Sequence, residues 1–202
     1  MRKESINASA ELPYPLTLDI HSIGLTDQQF YKLCRDNRDL RIELTSQGEL
    51  LIMAPTGSKT GWRNAKLTSR VTVWSEKDGT GLVFDSSTGF TLPNGAKRSP
   101  DVAWINNGKW NALSQEEQEW FAPICPDFVI ELRSAEDRLI ILQDKMREYI
   151  ENGAKLGWLI DPITKMVYIY RRDQPVEQLQ NPETISGEAV LSEFTLSLRD
   201  IW

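Results

Sequence analysis

Asp101, Glu131 and Lys145 are the residues whose types and settings could do chemistry in this sequence. Asp101 follows Pro100 at the head of an apolar run, V-A-W-I, and Glu131 lies inside F-V-I-E-L. Strand alternation puts Phe128, Ile130 and Leu132 on one face and Val129, Glu131 and Arg133 on the other. A carboxylate inside an apolar strand needs a partner, a metal or a proton. If the strands carrying Asp101 and Glu131 are neighbours, their side chains meet. Two such carboxylates repel unless a cation or a shared proton intervenes. Oxygen ligands completed by water suit Mg²⁺ or Mn²⁺. A metal held there polarises a phosphate and lowers the pKa of a bound water. A nearby lysine neutralises charge developing on the phosphate or orients the water. These are the parts needed to hydrolyse a phosphodiester. The plain alternative is a buried Glu131–Lys145 ion pair with no chemistry.

The segment from Cys125 to Asp161 has to position these groups. It reads as strand, turn, long helix, Asn152-Gly153 stop, strand. The spacing predicts a helix over 136–151 with Leu139, Leu142, Met146, Tyr149 and Ile150 as its core stripe. Lys145 lies at the border of that stripe, able to lean back toward the end of the preceding strand. Arg98 to Ile105 reads as one strand entered by Pro-Asp, with Asp101, Ala103 and Ile105 on one face. Upstream, Thr26 caps a helix running to about Asn37. Residues 40–44 and 49–53 alternate as a hairpin around Thr45-Ser46-Gln47-Gly48. The hairpin carries Glu43 and Glu49, either able to point at a site or to lie exposed. The loop at 54–61 lacks phosphate-loop spacing. A helix over 62–77 follows, apolar on two sides and therefore expected between the sheet and a second element. Arg63, Lys66 and Arg70 make it locally basic, as a solvated face or as nucleic-acid phosphate contacts. Residues 1–17, with Pro13 and Pro15, read as a loose arm, and 172–202 as a C-terminal β extension. Nothing in 1–202 reads as a linker that would split the chain into two domains.

The totals set limits. The 202 residues are 40% hydrophobic with seven Trp, which is globular rather than disordered composition. No apolar run approaches ~20 residues, so no membrane span is expected. Two cysteines, Cys34 and Cys125, are too few for a disulfide framework. With no apolar signal core at the N-terminus they predict reduced thiols and a cytoplasmic location. With one histidine, His21, read as a loop residue, zinc is not expected. A net charge of −6 argues against a broad nucleic-acid-coating surface but leaves room for a local basic groove.

The segments S-P-D-V-A-W-I, P-D-F-V-I-E-L-R-S-A-E-D-R, K-M-R-E-Y, N-G-A-K-L-G-W-L-I-D-P and V-Y-I-Y-R occur in that order. With the E-L-x-x-x-G-E-L hairpin and the M-x-P loop at Met53–Pro55, they resemble the Uma-type family. These are restriction-endonuclease-like proteins of the PD-(D/E)xK nuclease superfamily, common in cyanobacteria. The resemblance implies a mixed α/β fold, a central mixed β-sheet flanked by helices with an N-terminal β-hairpin. It implies that Asp101 and Glu131 bind Mg²⁺ or Mn²⁺ with the Leu132 carbonyl. Lys145 would be the superfamily lysine moved onto the following helix, with Glu43 or Glu49 as accessory carboxylate, Glu49 being carried as the catalytic one. Pro126-Asp127 is read as a decoy, too close to Glu131 to supply the partner strand. Two departures stand out. Arg133 takes the usual lysine position, a second cation expected in the pocket, and Asn64 stands where many relatives have histidine. The implied activity is a Mg²⁺-dependent endonuclease acting on DNA. Such enzymes often work as a homodimer, for which the apolar stretch from Ala189 to Trp202 would serve as the contact. Two alternatives remain. One is a catalytically weak or inactive module on the same fold that binds nucleic acid or a protein partner in a mobile-element or defence system. The other is a hydrolase of another phosphoester.

Overall fold

The computed structural model describes residues 15–202. In chain order its elements are β1 (Leu16–Asp19), α1 (Asp27–Asp36), β2 (Arg41–Leu44), β3 (Glu49–Met53), α2 (Ser58–Asp78), β4 (Gly81–Asp85), β5 (Phe90–Thr91), β6 (Lys97–Arg98), β7 (Val102–Asn106), α3 (Asn107–Trp110), α4 (Gln115–Glu119), β8 (Phe128–Leu132), α5 (Leu139–Glu151), β9 (Leu156–Asp161), β10 (Met166–Arg171), β11 (Glu177–Gln180), β12 (Thr184–Ser186) and β13 (Thr195–Ser197). They form a mixed α/β fold. The central six-stranded sheet has the order β11-β10-β9-β8-β7-β4. Its one parallel pair is β8 with β9, joined by the crossover helix α5, and the other pairs are antiparallel. A second, antiparallel sheet runs β1-β3-β2-β6-β5, and β12 and β13 make a ribbon.

Strand alternation divides the core into two layers. Val102, Trp104, Phe128, Ile130, Leu132, Trp158 and Ile160 face α2 and the C-terminal segment. Ala103, Ile105, Val129 and Leu159 face Met146 and Tyr149 of α5. Gly157 sits on the α5 side because a Cβ there would lie 2.4 Å from Met146 Cε and 3.3 Å from Val129 Cγ2. The missing side chain lets α5 close down on β8 and β9, which brings Lys145 within reach of Glu131.

Several sequence expectations need correction. The single strand over 98–105 is broken. Lys97–Arg98 belongs to the second sheet and Val102–Asn106 to the central one. Pro100 has no N–H for a ladder, and the chain crosses between sheets at Ser99-Pro100-Asp101. Asp101 therefore stands at the doorstep of β7 rather than within it. The fifth helix starts at Leu139, not 136, because Asp137 accepts from the Ser134 N–H (2.8 Å) and hydroxyl (2.7 Å) and holds a turn there. The second helix starts earlier, at Ser58. One of its apolar sides meets no second layer, since Trp62 and Val73 are each 49% exposed. Trp74 does find cover: its Nε1–H donates to the Ser192 carbonyl at 2.9 Å, and its ring lies 5.6 Å from that of Phe194.

The expected dimer contact is spent inside the chain, with Leu191, Phe194, Leu196, Leu198 and Ile201 buried against the central sheet. Residues 188–190 form a turn between the ribbon strands Thr184–Ser186 and Thr195–Ser197. Of the loose arm, residues 1–14 lie outside the described residues. Leu16–Asp19 is instead a strand paired with β3.

Candidate active site

The site forms where the two sheets meet. Val102 pairs with Ile130 across β7 and β8, so one step outward Asp101 stands opposite Glu131. Directly opposed residues of an antiparallel pair have neighbouring side chains. Asp101 Oδ2 accepts from the Leu132 N–H at 2.8 Å. Asp101 Oδ1 faces Arg41 Nη1 at 3.3 Å and Asn64 Nδ2 at 3.2 Å. Lys145 sits on the α5 face that turns toward β8, and its Nζ lies 2.8 Å from Glu131 Oε1 and 2.8 Å from Glu43 Oε1. Tyr149, one turn further along, donates its hydroxyl to Glu131 Oε1 at 3.0 Å. The structure thus brings together Asp101, Glu131 and Lys145, the three residues singled out from the sequence. Glu43, Asp101, Glu131 and Lys145 are all at least nine-tenths buried.

The accessory carboxylate at the cluster is Glu43, not Glu49. Glu43 accepts from the Ser99 N–H at 3.1 Å and pairs with Arg98 at 3.2 Å and Lys145. Glu49 is held at the hairpin turn, where Thr45 Oγ1 donates to it at 3.4 Å and its own N–H donates to Thr45 Oγ1 at 3.0 Å. In β2 alternation puts Arg41 and Glu43 on one face, so both reach the site from the second sheet.

Arg133 is not a second cation in the pocket. Its guanidinium turns to Asp161 Oδ2 at 2.8 Å and to the Asp137 carbonyl at 3.2 Å. Arg41 is the cation that stands beside Asp101. The three proposed phosphate contacts on α2 separate. Lys66 and Arg70 are tied to Asp200 at 3.2 and 2.8 Å. Arg63 is buried, and its Nε has no partner among the described residues. Asp127 sits at the other end of β8, accepting from the Asn106 N–H at 3.0 Å and facing Lys155 at 3.1 Å. It serves to fasten strands, not to do chemistry.

The electrostatics are those of a cluster one positive charge short. Four carboxylates, Glu43, Asp101, Glu131 and Glu148, face three cations, Arg41, Arg98 and Lys145. Burial by itself would raise the Glu43 carboxyl, but Lys145, Arg98 and Arg41 outweigh it and hold it at about 2. Burial pushes Glu131 up to about 7; Lys145 opposes this, and the charges of Asp101 and Glu43 add to it. Lys145 is itself desolvated, yet its two carboxylate partners raise it, so it stays an ammonium. Burial first, and the missing positive charge after it, show as proton affinity at Glu131, the carboxylate with the weaker cationic surroundings.

Asp101, Glu131, Asn64, Arg41 and Lys145 line a cavity of about 700 Å³. Asn64 Nδ2 faces Asp101, which fixes the amide orientation and leaves Asn64 Oδ1 buried with no donor among the described residues. An unfilled oxygen acceptor, two opposed carboxylates and a deficit of positive charge fit a hard divalent cation. No group of three or more His, Cys, Asp or Glu side chains among the described residues is arranged to hold a metal. A cation here would instead rely on two carboxylates, neutral oxygens and water. The Leu132 N–H points at Asp101, and in an extended strand the carbonyl of that residue is directed to the same edge.

A family profile described as "Uma2: Putative restriction endonuclease" matches residues 27–199. Among solved structures, the chain is similar to one described as a "putative nuclease belonging to DUF820 from Anabaena variabilis ATCC 29413". That chain is 22% identical, with a TM-score of 0.71, and the match covers 88% of this chain and 97% of that one. At that identity the likeness shows the fold, a mixed sheet flanked by helices. No curated protein matches. No helix among the described residues is long and apolar enough to cross a membrane. The profile covers Arg41, Glu43, Asn64, Asp101, Glu131 and Lys145, so the chain belongs to the Uma2 family.

Proposed function

We propose that this chain is an endonuclease that hydrolyses DNA phosphodiester bonds with Mg²⁺ or Mn²⁺. The observation that carries the proposal is the opposition of Asp101 and Glu131 across β7 and β8, with Lys145 Nζ 2.8 Å from Glu131, at the wall of an open cavity. Asp101, Glu131 and the Leu132 carbonyl would hold the cation, with Asn64 Oδ1 toward it or toward its water. Bound there, the cation supplies Lewis-acid polarisation of the phosphate and a more acidic water. A cation there would also make good the charge the cluster lacks and favour the ionised form of Glu131.

The chain's own residues do the rest. Lys145 keeps Glu43 and Glu131 in place and sets positive charge beside the attacking water. Asn64 and the Leu132 N–H fix the orientation of Asp101. In the reaction a water oxygen bonds to phosphorus while one P–O ester bond breaks with its electron pair. The water proton ends on the leaving oxygen, giving a phosphomonoester and an alcohol. Cys34 and Cys125 are unpaired, in keeping with a reducing cytoplasm where DNA is at hand. One centre per chain cuts both strands either as a homodimer or by successive nicks.

The test is cleavage of supercoiled plasmid with Mg²⁺ or Mn²⁺, beside Asp101→Ala and an EDTA control. The expected result is metal-dependent cutting that Asp101→Ala abolishes. Linear product without a nicked precursor would support the homodimer. Cutting that persists in Asp101→Ala, or none in the wild type with either metal, overturns the proposal.

A further inference from the structure

We propose that Arg41 is a further catalytic residue, the donor that takes hold of a non-bridging oxygen of the scissile phosphate. This rests on the nuclease reading above and deepens it. Four cationic side chains line the cavity: Arg35, Arg38, Arg41 and Lys145. Arg35 and Arg38 follow one another along the end of α1, outside the carboxylate cluster, and are exposed. Lys145 has already directed its ammonium at Glu131, Glu43 and the Ser99 carbonyl. Arg133, at the position where the superfamily lysine is expected, is committed to Asp161. Arg41 is the cation of the cavity with capacity to spare. Its Nη2 donates to the Ser99 carbonyl, which anchors one arm of the fork. Its Nε is buried with no acceptor among the described residues. Its Nη1 is only 3.3 Å from Asp101 Oδ1, at the long end of hydrogen-bonding range.

The two unsatisfied atoms of this cavity are complementary. Asn64 Oδ1 is an acceptor without a donor, and Arg41 Nε is a donor without an acceptor. Both side chains converge on the same oxygen, Asp101 Oδ1. A lone anion would leave Asn64 Oδ1 unfilled, and a lone cation would leave Arg41 Nε unfilled. Filling both would take a phosphate oxygen toward Arg41 Nε together with a cation or a water toward Asn64 Oδ1. The fork of a guanidinium suits two phosphate oxygens at once. The long Arg41 Nη1–Asp101 Oδ1 contact is the one the guanidinium would give up to take a phosphate oxygen, should Asp101 be engaged by a cation. As the water oxygen bonds to phosphorus and the P–O ester bond breaks, negative charge grows on the non-bridging oxygens, where Arg41 stabilises it.

The test compares wild type, Arg41→Ala and Arg41→Lys in three measurements. These are single-turnover cleavage of a duplex oligonucleotide with Mn²⁺, duplex affinity in EDTA, and Mn²⁺ affinity by calorimetry. Arg41→Ala is expected to slow cleavage roughly 10²- to 10³-fold. Its duplex affinity should stay within about tenfold, and it should bind Mn²⁺ as tightly as wild type or more tightly, because a competing cation has left Asp101. Arg41→Lys should recover part of the rate. Cleavage by Arg41→Ala within about threefold of wild type overturns the role, as does a fall in Mn²⁺ affinity matching the fall in rate. If Arg41→Ala loses its folded circular dichroism, Arg41→Lys decides. A slowed rate with unchanged Mn²⁺ affinity supports the role, and a wild-type rate overturns it. A wild type that binds Mn²⁺ but never cuts overturns the nuclease reading itself, whereas a wild type and an Arg41→Ala that cut equally overturn only the part assigned to Arg41.

Discussion

Replacing Glu131 by glutamine turns the charge deficit into a measurable slope. Burial raises this carboxyl from an ordinary 4.5 to about 7. A raised acid prefers its proton in the folded chain, so the folded state binds more protons than the unfolded one between those two values. Stability is then fully present below 4.5 and falls as pH rises toward 7. At about 1.36 kcal/mol for each pH unit, the whole difference is about 3 kcal/mol, most of which falls between pH 5 and 8. Glu43 does not blur this window. Its depressed carboxyl contributes stability above the ordinary carboxylate range that is lost only as pH falls toward 2. The substituted amide would imitate the protonated acid and cannot titrate. Urea unfolding of both proteins in EDTA, read by fluorescence of the seven Trp, should show the wild type losing about 2–3 kcal/mol relative to Glu131→Gln from pH 5 to pH 8. Titrating groups outside the cluster cancel in the comparison. Mg²⁺ should restore more stability at pH 8 than at pH 5, because it competes with the proton. Parallel pH profiles for the two proteins would refute both the raised proton affinity of Glu131 and the burial and charge deficit behind it.

Other consequences follow from particular contacts. Lys145→Met leaves Glu43 and Glu131 buried without their shared cation; thermal or urea unfolding should show a loss of about 3–5 kcal/mol at neutral pH, which a double variant with Glu43→Gln would partly reverse. Leu196→Ala, in the C-terminal segment buried against the central sheet, should cost about 2–5 kcal/mol in urea unfolding; sedimentation should show an unchanged oligomeric state, whereas loss of a dimer in a stably folded variant would return this stretch to an interface. Arg133→Ala, which strips one donor from the fully buried Asp161, should cost about 1–3 kcal/mol and leave the plasmid cleavage rate within about threefold of wild type; a loss of cleavage at full stability would put Arg133 back in the pocket.

Much of the frame was legible in the sequence because it rests on local periodicity. The alternation of Phe128 to Arg133, the apolar stripe of α5 and the Asn152-Gly153 stop each follow from neighbouring residues. So did Lys145, since a border position on a helix packed over its own preceding strand leaves a long amine few places to go. What failed depended on non-local pairing. The break at Pro100 was hidden because Lys97–Arg98 and Val102–Asn106 read as one run until their partners, β2 and β8, are known. Glu43 and Glu49 look alike in a hairpin, and only the placement of β2 beside β6 decides between them. The one sequence signal for Arg41 and Glu43 is opposite charges at i and i+2 around Ile42, which marks one strand face as polar and paired. Lys66 and Arg70 looked free because Asp200 lies far along the chain. The C-terminal apolar residues looked like an interface because the face of the sheet they cover cannot be seen from sequence.

The central claim, that Asp101 and Glu131 share one divalent cation, is tested most directly by crystals soaked in Mn²⁺ at pH 8. Anomalous difference density should appear as a single peak bonded to a carboxylate oxygen of each residue, with Arg41 moved off Asp101 Oδ1, and should vanish in Asp101→Asn. No peak there at saturating Mn²⁺, or a peak that survives in Asp101→Asn, would contradict the account.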